Sequence, residues 1–294
     1  MDIIKYILEN DLGTLETNYY FKDITTIGTG GLIKYFYTPN NENSLCKMFK
    51  FVNDNNIKYF IIGNGSNVLA SDDFFDGIVI NMKKMPIYLN VFEDYIEVSS
   101  SYPTTKLAYD LAKLELGDLS FLYGIPGLIG GAIYNNSGAY NKEIKDYVLE
   151  VKCINKNGEI IAIENRNLGF DYRSSIFHFY NCIIISVKLK IERVVTIDKL
   201  DNILRKRKDT QPLEYKNMGS IFKNNLLVDS WKVIDLLNLR GFTFNGTKIS
   251  EKHTNFIINY NNSTTNDILS LIEYIKKRAF LELGITLETE LTII

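Results

Sequence analysis

The apolar residues of the chain recur at helical spacing in several segments. Four faces of this kind predict helices: Ile3, Ile4, Ile7 and Leu8; Leu45, Met48, Phe49 and Val52; Leu107, Leu111 and Leu114; and Ile268, Leu271, Ile272, Ile275 and Ala279. Asn43 or Ser44 can cap the second helix, and Thr104 or Thr105 the third. The last helix is predicted from about Asn266 to Leu283, where Gly284 can end it.

Shorter apolar runs predict strands between these helices. Residues 58–62 and 77–82 are typical of buried strands, and Asn157-Gly158 predicts a hairpin turn. Residues 285–294 alternate between apolar and polar side chains, so we expect a final strand with Ile285, Leu287, Leu291 and Ile293 on one face. Strands mixed with helices in this order predict an α+β protein.

Length and charge limit the function classes. A chain of 294 residues predicts two or three packed units. The formal net charge of −2 gives no electrostatic footprint for nucleic acid. Apolar runs such as 182–189 are far shorter than a membrane span, and the first residues lack a signal-peptide pattern. We therefore expect a cytoplasmic protein without membrane insertion.

Cysteines and histidines are few and scattered. Cys46, Cys153 and Cys182 follow no metal-binding or disulfide pattern and are typical of reduced thiols. A zinc site or a histidine-based triad would need His178 or His253, because the chain has only these two histidines. We expect no metal site.

The segment Gly63-Asn64-Gly65-Ser66-Asn67 follows a predicted buried strand. Its glycines let the backbone approach a ligand and turn N–H groups toward it, which is how a backbone concavity holds phosphate. The segment is neither a Walker loop nor a Rossmann fingerprint, and a tight Asn-Gly turn explains it equally well.

Residues 123–144 combine many glycines with apolar side chains. Such a stretch cannot be a solvated linker, and it suggests backbone packed against a large flat ligand. The alternative is a bulged, buried strand followed by a loop.

Three further residues are candidates for chemistry. Arg173 lies in an apolar neighbourhood and could bind a carboxylate or phosphate, although a surface arginine is the simpler interpretation. Ser220 could be a loop residue, a nucleophile or a proton donor, and no Gly-x-Ser-x-Gly motif surrounds it. Glu290 lies on the polar face of the predicted last strand, where an exposed glutamate is ordinary.

Six motifs occur in one order: GNGSNVLASDDFFDGIVI, GIPGLIGGAIYNNSGAY, DYRSSIF, QPLEYKNMGSIFKNN, IDLLNLRGFTFNGTKISEKHTNFIIN and GITLETEL. From about residue 20 to the C-terminus the chain resembles the UDP-N-acetylenolpyruvoylglucosamine reductase family, in its shorter subclass. The resemblance implies a two-subdomain FAD-binding module of the vanillyl-alcohol-oxidase type followed by an α+β substrate-binding domain. We expect a lead-in over 1–22, the module over 23–192 (subdomains about 23–85 and 86–192) and the substrate domain over 193–294.

The resemblance also implies a reaction and its residues. It implies non-covalent FAD, NADPH as electron donor and a UDP-sugar enolpyruvate substrate, with a monomer favoured. The catalytic positions fall on Arg173, Ser220 and Glu290. Tyr172, Lys223, Asn224 and Arg240 match substrate-binding positions. Cofactor-binding positions fall on Gly63, Asn64, Gly65, Ser66, Asn67, Gly124, Ile125, Pro126, Gly127, Gly130, Gly131, Ala132, Asn135, Ser137 and Gly138.

The chemistry implied is reduction of an enolpyruvyl ether to a lactyl ether. We expect Arg173, with Glu290, to stabilise charge that grows on the substrate carboxylate. Ser220 would donate a proton to carbon, helped by Lys223 or an ordered water. Another flavoprotein oxidoreductase, an inactive nucleotide-binding relative and a serine hydrolase are the alternatives.

The chain departs from the family pattern at three positions. Gly28 replaces a usual basic residue, Ser137 an alanine and Asn225 a proline. We expect the last change to leave the Ser220 loop less rigid.

Overall fold

A computed structural model describes residues 2–194, 197–225 and 228–294. The helices are α1 (Ile3–Glu9), α2 (Phe21–Ile24), α3 (Glu42–Asp54), α4 (Thr104–Leu114), α5 (Ile129–Tyr134), α6 (Ile197–Thr210), α7 (Ser230–Leu236) and α8 (Thr265–Leu283). The strands are β1 (Gly13–Glu16), β2 (Tyr19–Tyr20), β3 (Leu32–Pro39), β4 (Tyr59–Ile62), β5 (Val68–Leu69), β6 (Phe75–Asn81), β7 (Leu89–Val91), β8 (Tyr95–Ser99), β9 (Gly138–Ala139), β10 (Lys142–Glu143), β11 (Val148–Asn155), β12 (Ile160–Glu164), β13 (Cys182–Lys190), β14 (Lys216–Asn217), β15 (Thr243–Phe244), β16 (Thr247–Ile249), β17 (Ile257–Asn259) and β18 (Thr292–Ile293). This mixture confirms the predicted α+β class.

The strands form several separate sheets. One has the order β1-β3-β6-β4, in which β4 and β6 are parallel. Another has the antiparallel order β12-β11-β13-β8-β7. The order β14-β17-β16-β15 forms a third, and β18 pairs in parallel with β5.

The chain divides into two compact units that are discontinuous in sequence. The first unit contains residues 1–17, 34–63 and 76–204, and the second contains residues 18–33, 64–75 and 205–294. The boundaries predicted from the sequence were linear, whereas here two early segments belong with the C-terminal residues. One of them, residues 64–75, begins with most of the glycine loop described above.

The first unit contains two apolar cores. Ile7 of α1, Phe49 of α3 and Ile80 of β6 are buried in one core. Leu107 of α4 and Val151 of β11 are buried in the other. Helix α3 covers its core with the face that the sequence predicts, and α4 does so with Leu107 and Leu111, because apolar residues three and four apart lie on one side of a helix.

The second unit places α7 and α8 against the sheet that contains β16 and β17. Val233, Ile249 and Ile272 are fully buried in its core. The side chains of Thr264 and Asp267 form a capping box at the start of α8. The carboxylate of Asp72 also accepts hydrogen bonds from the backbone N–H groups of the first two residues of α8, each at 3.1 Å. The start of this helix is therefore attached to the segment that follows β5.

Some local predictions were wrong. The last strand comprises only Thr292–Ile293, because it pairs on one edge with the two residues of β5. Ile293, which was predicted on the buried face, is 48% exposed. Leu114 is 52% exposed at the end of α4, past the buried face. Pro103, which precedes α4, occupies the N-cap position, and neither Thr104 nor Thr105 does. Asn41 caps α3 in place of Asn43 or Ser44.

The pKa of Asp118, in the first unit, is strongly lowered, so the stability of the fold should depend on pH. Burial by itself would raise the pKa of Asp118, but hydrogen bonds from Ser120 and Lys142 outweigh it and lower the pKa to about 2. The ammonium of Lys199 lies 3.3 Å from the same carboxylate. Because the folded pKa is lower than the unfolded one, the carboxylate stabilises the fold above about pH 4, and this contribution is lost as the pH falls toward 2.

We therefore expect Asp118→Asn to lower the free energy of unfolding by about 1–2 kcal/mol at pH 7. The difference from the wild type should shrink as urea unfolding is repeated at falling pH, and it should vanish near pH 2. Asp76→Asn, which breaks an exposed ion pair with Lys34, is the matched control and should have little effect. A difference that is independent of pH would contradict the prediction.

Candidate active site

The loop 64–67 presents backbone N–H groups that have no protein partner. Among the described residues, none accepts a hydrogen bond from the backbone N–H of Asn64, Gly65, Ser66 or Asn67. Gly65 has a φ of 63°, and a Cβ there would lie 2.1 Å from the carbonyl oxygen of Ile24. Unpaired backbone N–H groups in a glycine turn can bind an anion such as phosphate. The loop therefore leaves free the donors that a phosphate site would need.

The same loop is bonded to the segment that carries Glu290. The Asn67 side chain donates to the carbonyl oxygen of Glu290 at 3.1 Å. The backbone N–H of Thr292 donates to the carbonyl oxygen of Asn67 at 3.0 Å, and the β5–β18 pairing continues from there. The position of Glu290 is therefore fixed relative to the glycine loop.

Ser220 lies on a segment that pairs with the Glu290 segment. The Glu290 N–H donates to the carbonyl oxygen of Ile221 at 2.8 Å, and the Lys223 N–H donates to that of Glu288 at 2.9 Å. Gly219, with a φ of 79°, supplies the left-handed turn that precedes Ser220. The half-buried hydroxyl of Ser220 makes no hydrogen bond with any described residue, so it is available to a ligand.

Asn255 holds this segment and was missed by the sequence analysis. Its side chain accepts from the Phe222 N–H at 2.9 Å and donates to the Phe222 carbonyl oxygen at 2.8 Å. Its own carbonyl oxygen accepts from the Ile221 N–H at 2.9 Å. Asn255 is 3% exposed, and a buried amide must satisfy both of its polar ends. It lies in the quoted motif HTNFIIN, but no spacing there distinguishes it from its neighbours.

Lys223 and Asn224 follow Ser220 and already have partners. The Lys223 ammonium lies 2.5 Å from the carboxylate of Glu288, which is largely exposed. The Asn224 side chain accepts from the Ser230 N–H at 3.0 Å at the start of α7. Asn225, where the family has proline, accepts from the Val228 N–H at 2.7 Å.

Arg240 lies in a separate ion pair of the second unit. Its guanidinium donates to both carboxylate oxygens of Asp235, at 2.8 and 2.6 Å, and to the Glu251 carbonyl oxygen. His253 packs edge-on against Phe256, and its buried Nδ1 has no hydrogen-bond partner among the described residues. Burial and the nearby Arg240 charge lower the pKa of His253. The described contacts of His253 do not include Ser220, so they give no support to a serine–histidine nucleophile.

Gly28, where the family has a basic residue, contacts Lys216. A Cβ on Gly28 would lie 2.9 Å from Cδ of Lys216 and 3.1 Å from its ammonium nitrogen. The lysine stem therefore occupies the space that a side chain at Gly28 would need. The φ of 72° at Gly28 is also unfavourable for any other residue.

Arg173 and Tyr172 belong to the first unit. The Arg173 guanidinium donates to the Gly138 carbonyl oxygen at 3.0 Å and lies 3.8 Å from the Glu143 carboxylate. It stacks over the Tyr172 ring at 4.8 Å. The Arg173 side chain is 17% exposed, and its backbone φ is 56°, an unusual value for a non-glycine residue. Such a conformation is typical of functional sites.

The glycine-rich stretch forms helix α5 and not the bulged strand that the sequence allowed. The N–H groups of Ile129 and Gly130 donate to the carbonyl oxygens of Tyr102 and Ser100. Gly130 has little room for a side chain, because a Cβ would lie 3.1 Å from Cβ of Ser100. Gly131 differs: it is exposed, and a Cβ there would meet nothing within 4 Å. Packing within the protein therefore does not require glycine at 131, whereas a flat ligand lying on this helix would.

The remaining predicted cofactor positions surround α5. Gly63 lies against Leu128, which a Cβ would approach to 3.2 Å. The carbonyl oxygens of Ile125 and Gly127 accept hydrogen bonds from Thr104. Ala132 is buried in α5, and Gly138 begins β9. The other positions lie in turns or irregular segments that are half-buried or, for Pro126, exposed: Gly124, Pro126, Asn135 and Ser137.

A cavity of about 400 Å³ opens in the first unit. It is lined by the start of α3 and by Met82, Met85, Tyr88 and Ser99–Ser101. Its volume is in the range of small-molecule sites.

No group of acidic, histidine and cysteine side chains within residues 2–194, 197–225 and 228–294 could hold a metal ion. None of the described helices is long and apolar enough to cross a membrane.

Comparison with known proteins identifies the family. Residues 33–164 match the FAD binding domain, and residues 211–294 match the C-terminal domain of UDP-N-acetylenolpyruvoylglucosamine reductase. The reductase of that name from Anoxybacillus flavithermus is 34% identical, with 98% of this chain and 97% of the relative aligned. The chain belongs to the UDP-N-acetylenolpyruvoylglucosamine reductase family.

Two further reductases extend the similarity. The one from Orientia tsutsugamushi is 35% identical over 96% of this chain and 95% of its own. The crystal structure of the reductase (MurB) from Thermus caldophilus is similar with a TM-score of 0.80 at 27% identity, covering 96% of this chain and 99% of that one. The family resemblance predicted from the motifs is confirmed. The lining of the cavity, apart from Ile185, falls within the part that matches the FAD binding domain.

The open space at Gly131 predicts that a side chain there would affect cofactor binding and not packing within the protein. We expect Gly131→Ala to raise the melting temperature of flavin-free protein, because alanine favours a helix by about 1 kcal/mol over glycine. The same variant should bind FAD about tenfold more weakly, a loss of about 1.4 kcal/mol, because the methyl group lies where the ligand would approach. Fluorescence titration of the apoprotein with FAD measures the second effect.

Gly130→Ala is the control for this pair of effects. Its methyl group would press on Ser100 inside the protein, so we expect a lower melting temperature. Equal FAD affinity of the wild type and Gly131→Ala would show that no ligand lies over this residue.

Proposed function

We propose that this protein reduces the enolpyruvyl ether of UDP-N-acetylglucosamine to the lactyl ether of UDP-N-acetylmuramate, a step in the synthesis of peptidoglycan precursors. Bound FAD, reduced by NADPH, supplies the hydride. The observation that carries the proposal is the free hydroxyl of Ser220, held by backbone pairing beside the segment of Glu290. Membership of the reductase family supports the same reaction.

The loop 64–67 and helix α5 would hold the cofactor. The unpaired N–H groups of the loop suit the diphosphate, which carries negative charge and many acceptor oxygens. The open backbone at Gly131 suits a flat ring system. Both features fit FAD and need no covalent link to a side chain.

Arg173 would bind the carboxylate of the enolpyruvyl group. Hydride addition to the terminal carbon places negative charge on the neighbouring carbon, and this charge spreads into the carboxylate. A fixed guanidinium stabilises that charge most in the transition state. Glu290 would act at the same carboxylate, either protonated or through a bridging water.

Ser220 would then donate a proton to the neighbouring carbon. Its hydroxyl has no described acceptor, so the proton can be directed to the substrate without breaking a protein hydrogen bond. Serine is a weak acid, and the ammonium of Lys223, three residues further along, would help to offset the developing alkoxide.

Tyr172, Lys223, Asn224 and Arg240 would contact other parts of the substrate. Lys223 and Asn224 lie three and four residues after the catalytic serine, which favours a role at the nucleotide part. Arg240 donates from Nη2 to both carboxylate oxygens of Asp235, so its role in binding would keep or exchange this partner. We place the enzyme in the cytoplasm, since its substrate and NADPH are found there.

Ser220→Ala is the direct test of this proposal. We expect the variant to bind FAD and to be reduced by NADPH at the wild-type rate, because the serine acts after hydride transfer to the flavin. Turnover of the enolpyruvyl nucleotide should fall by about 10²–10⁴-fold, the usual contribution of a general acid. Stopped-flow absorbance of the flavin separates the two half-reactions.

Ser270→Ala is the matched control, since Ser270 is an exposed residue of α8. It should leave both half-reactions unchanged. A wild-type protein that is yellow but does not oxidise NADPH with the enolpyruvyl nucleotide would contradict the proposed reaction. Normal turnover by Ser220→Ala would contradict only the role of the serine.

A further inference from the structure

Arg173 lies in a turn where its backbone adopts a left-handed conformation, which is unfavourable for a residue other than glycine. Asp171 and Ser174 exchange two backbone hydrogen bonds, each of 3.1 Å, and Arg173 between them has a φ of 56°. The left-handed region costs a non-glycine residue about 1–2 kcal/mol. Contacts from outside the turn must therefore hold it in place.

Asn136 provides such a contact. Its side-chain nitrogen donates to the carbonyl oxygen of Asp171 at 2.9 Å. Its side-chain oxygen accepts from the backbone N–H of Lys145 at 3.2 Å. Asn136 has no solvent exposure, and its own φ is 42°. The buried amide thus joins the turn to a second segment of backbone, and both of its polar ends are used.

The segment that begins at Asn136 also holds the guanidinium. The carbonyl oxygen of Gly138 accepts from Arg173 at 3.0 Å, and the carboxylate of Glu143 lies 3.8 Å away. Glu143 is itself paired with the ammonium of Lys145 at 2.5 Å. The backbone and the side chain of Arg173 are therefore held by the same ten residues, 136–145.

A hydrogen bond from a hydroxyl to a backbone carbonyl anchors the far side of the turn. The Ser175 hydroxyl donates to the carbonyl oxygen of Tyr134 at 2.7 Å, and Ser175 is buried. Asn135, which the motif comparison assigns to the cofactor, makes no side-chain hydrogen bond with a described residue. The contact that holds the turn is made by its neighbour Asn136.

We infer that Asn136 is a positioning residue that sets the geometry of Arg173. Its amide fixes Asp171, and the turn of Asp171–Ser174 then directs the guanidinium toward Gly138 and Glu143. The assignment of Arg173 to a substrate carboxylate rests on the proposed function, whereas the contact between Asn136 and the turn does not. Displacement of a catalytic cation by about 1 Å lowers turnover by about 10²-fold.

Asn136→Asp tests this inference with the least change of shape. At neutral pH the carboxylate keeps an acceptor for the Lys145 N–H but has no donor for the Asp171 carbonyl oxygen. Asn165→Asp is the matched control, because Asn165 also donates from a half-buried amide, to the carbonyl oxygens of Lys145 at 2.9 Å and Val148 at 2.6 Å, and its described contacts do not include the turn.

Hydrogen–deuterium exchange of the amides of Asp171 and Ser174 is the first readout. We expect exchange to be at least about tenfold faster in Asn136→Asp than in the wild type, and unchanged in Asn165→Asp. Turnover of the enolpyruvyl nucleotide should fall by about 10²-fold in Asn136→Asp, with FAD absorbance and the rate of flavin reduction by NADPH unchanged.

Asn136→Gly keeps the inference testable if the aspartate variant does not fold. Glycine accepts the φ of 42° without strain and removes the amide. Wild-type exchange at the turn in either folded variant would overturn the inference, as would equal effects of the changes at 136 and 165. If the wild type itself does not turn over the nucleotide while exchange at the turn still rises, the proposed function fails and the positioning role stands.

Discussion

Two backbone hydrogen bonds between residues 221–223 and residues 288–290 determine the arrangement of the second unit. They join the segment after the Ser220 turn to the last segment of the chain. Because Asn67 and Thr292 bond that last segment to the glycine loop, three regions distant in sequence become neighbours through only a few polar contacts. The apolar core beneath them, with Phe222 and Leu287 buried, supplies most of the stabilisation. The hydrogen bonds fix how the segments are oriented, because they are directional and the hydrophobic effect is not.

Asparagine amides perform this positioning role in both units. Asn67 bonds to Glu290, Asn255 to Phe222, and Asn136 to Asp171. Each binds backbone groups of a segment that has few regular sheet partners of its own. Loops of this kind can take conformations that strands cannot, such as the left-handed backbone of Arg173, but they leave N–H and carbonyl groups unpaired. An amide suits them because it carries a donor and an acceptor on one rigid plane.

The sequence was sufficient for the family and for helices α1, α3, α4 and α8, and less so for the site. Helix α8 was predicted closely because its apolar period and Gly284 agree. The last strand was predicted too long, since alternation describes which face is buried but not how much of the edge finds a partner. Motifs gave Ser220, Arg173 and Glu290 as predictions, yet nothing in one sequence distinguished Asn136 or Asn255 from the many other asparagines. Their role depends on which distant carbonyl groups the fold brings within reach.

The same groups that make the site suitable for chemistry lower its stability without a ligand. Half-buried N–H groups in the loop 64–67, the exposed glycine of α5 and the left-handed arginine each cost free energy that the folded chain does not recover by itself. A ligand that binds only the folded state returns part of this free energy, in proportion to the logarithm of its concentration over its Kd. An anion would satisfy the N–H groups of the loop, and a flat ligand would cover the glycine. Within each unit, the stability of the fold and the readiness to bind a ligand are therefore linked.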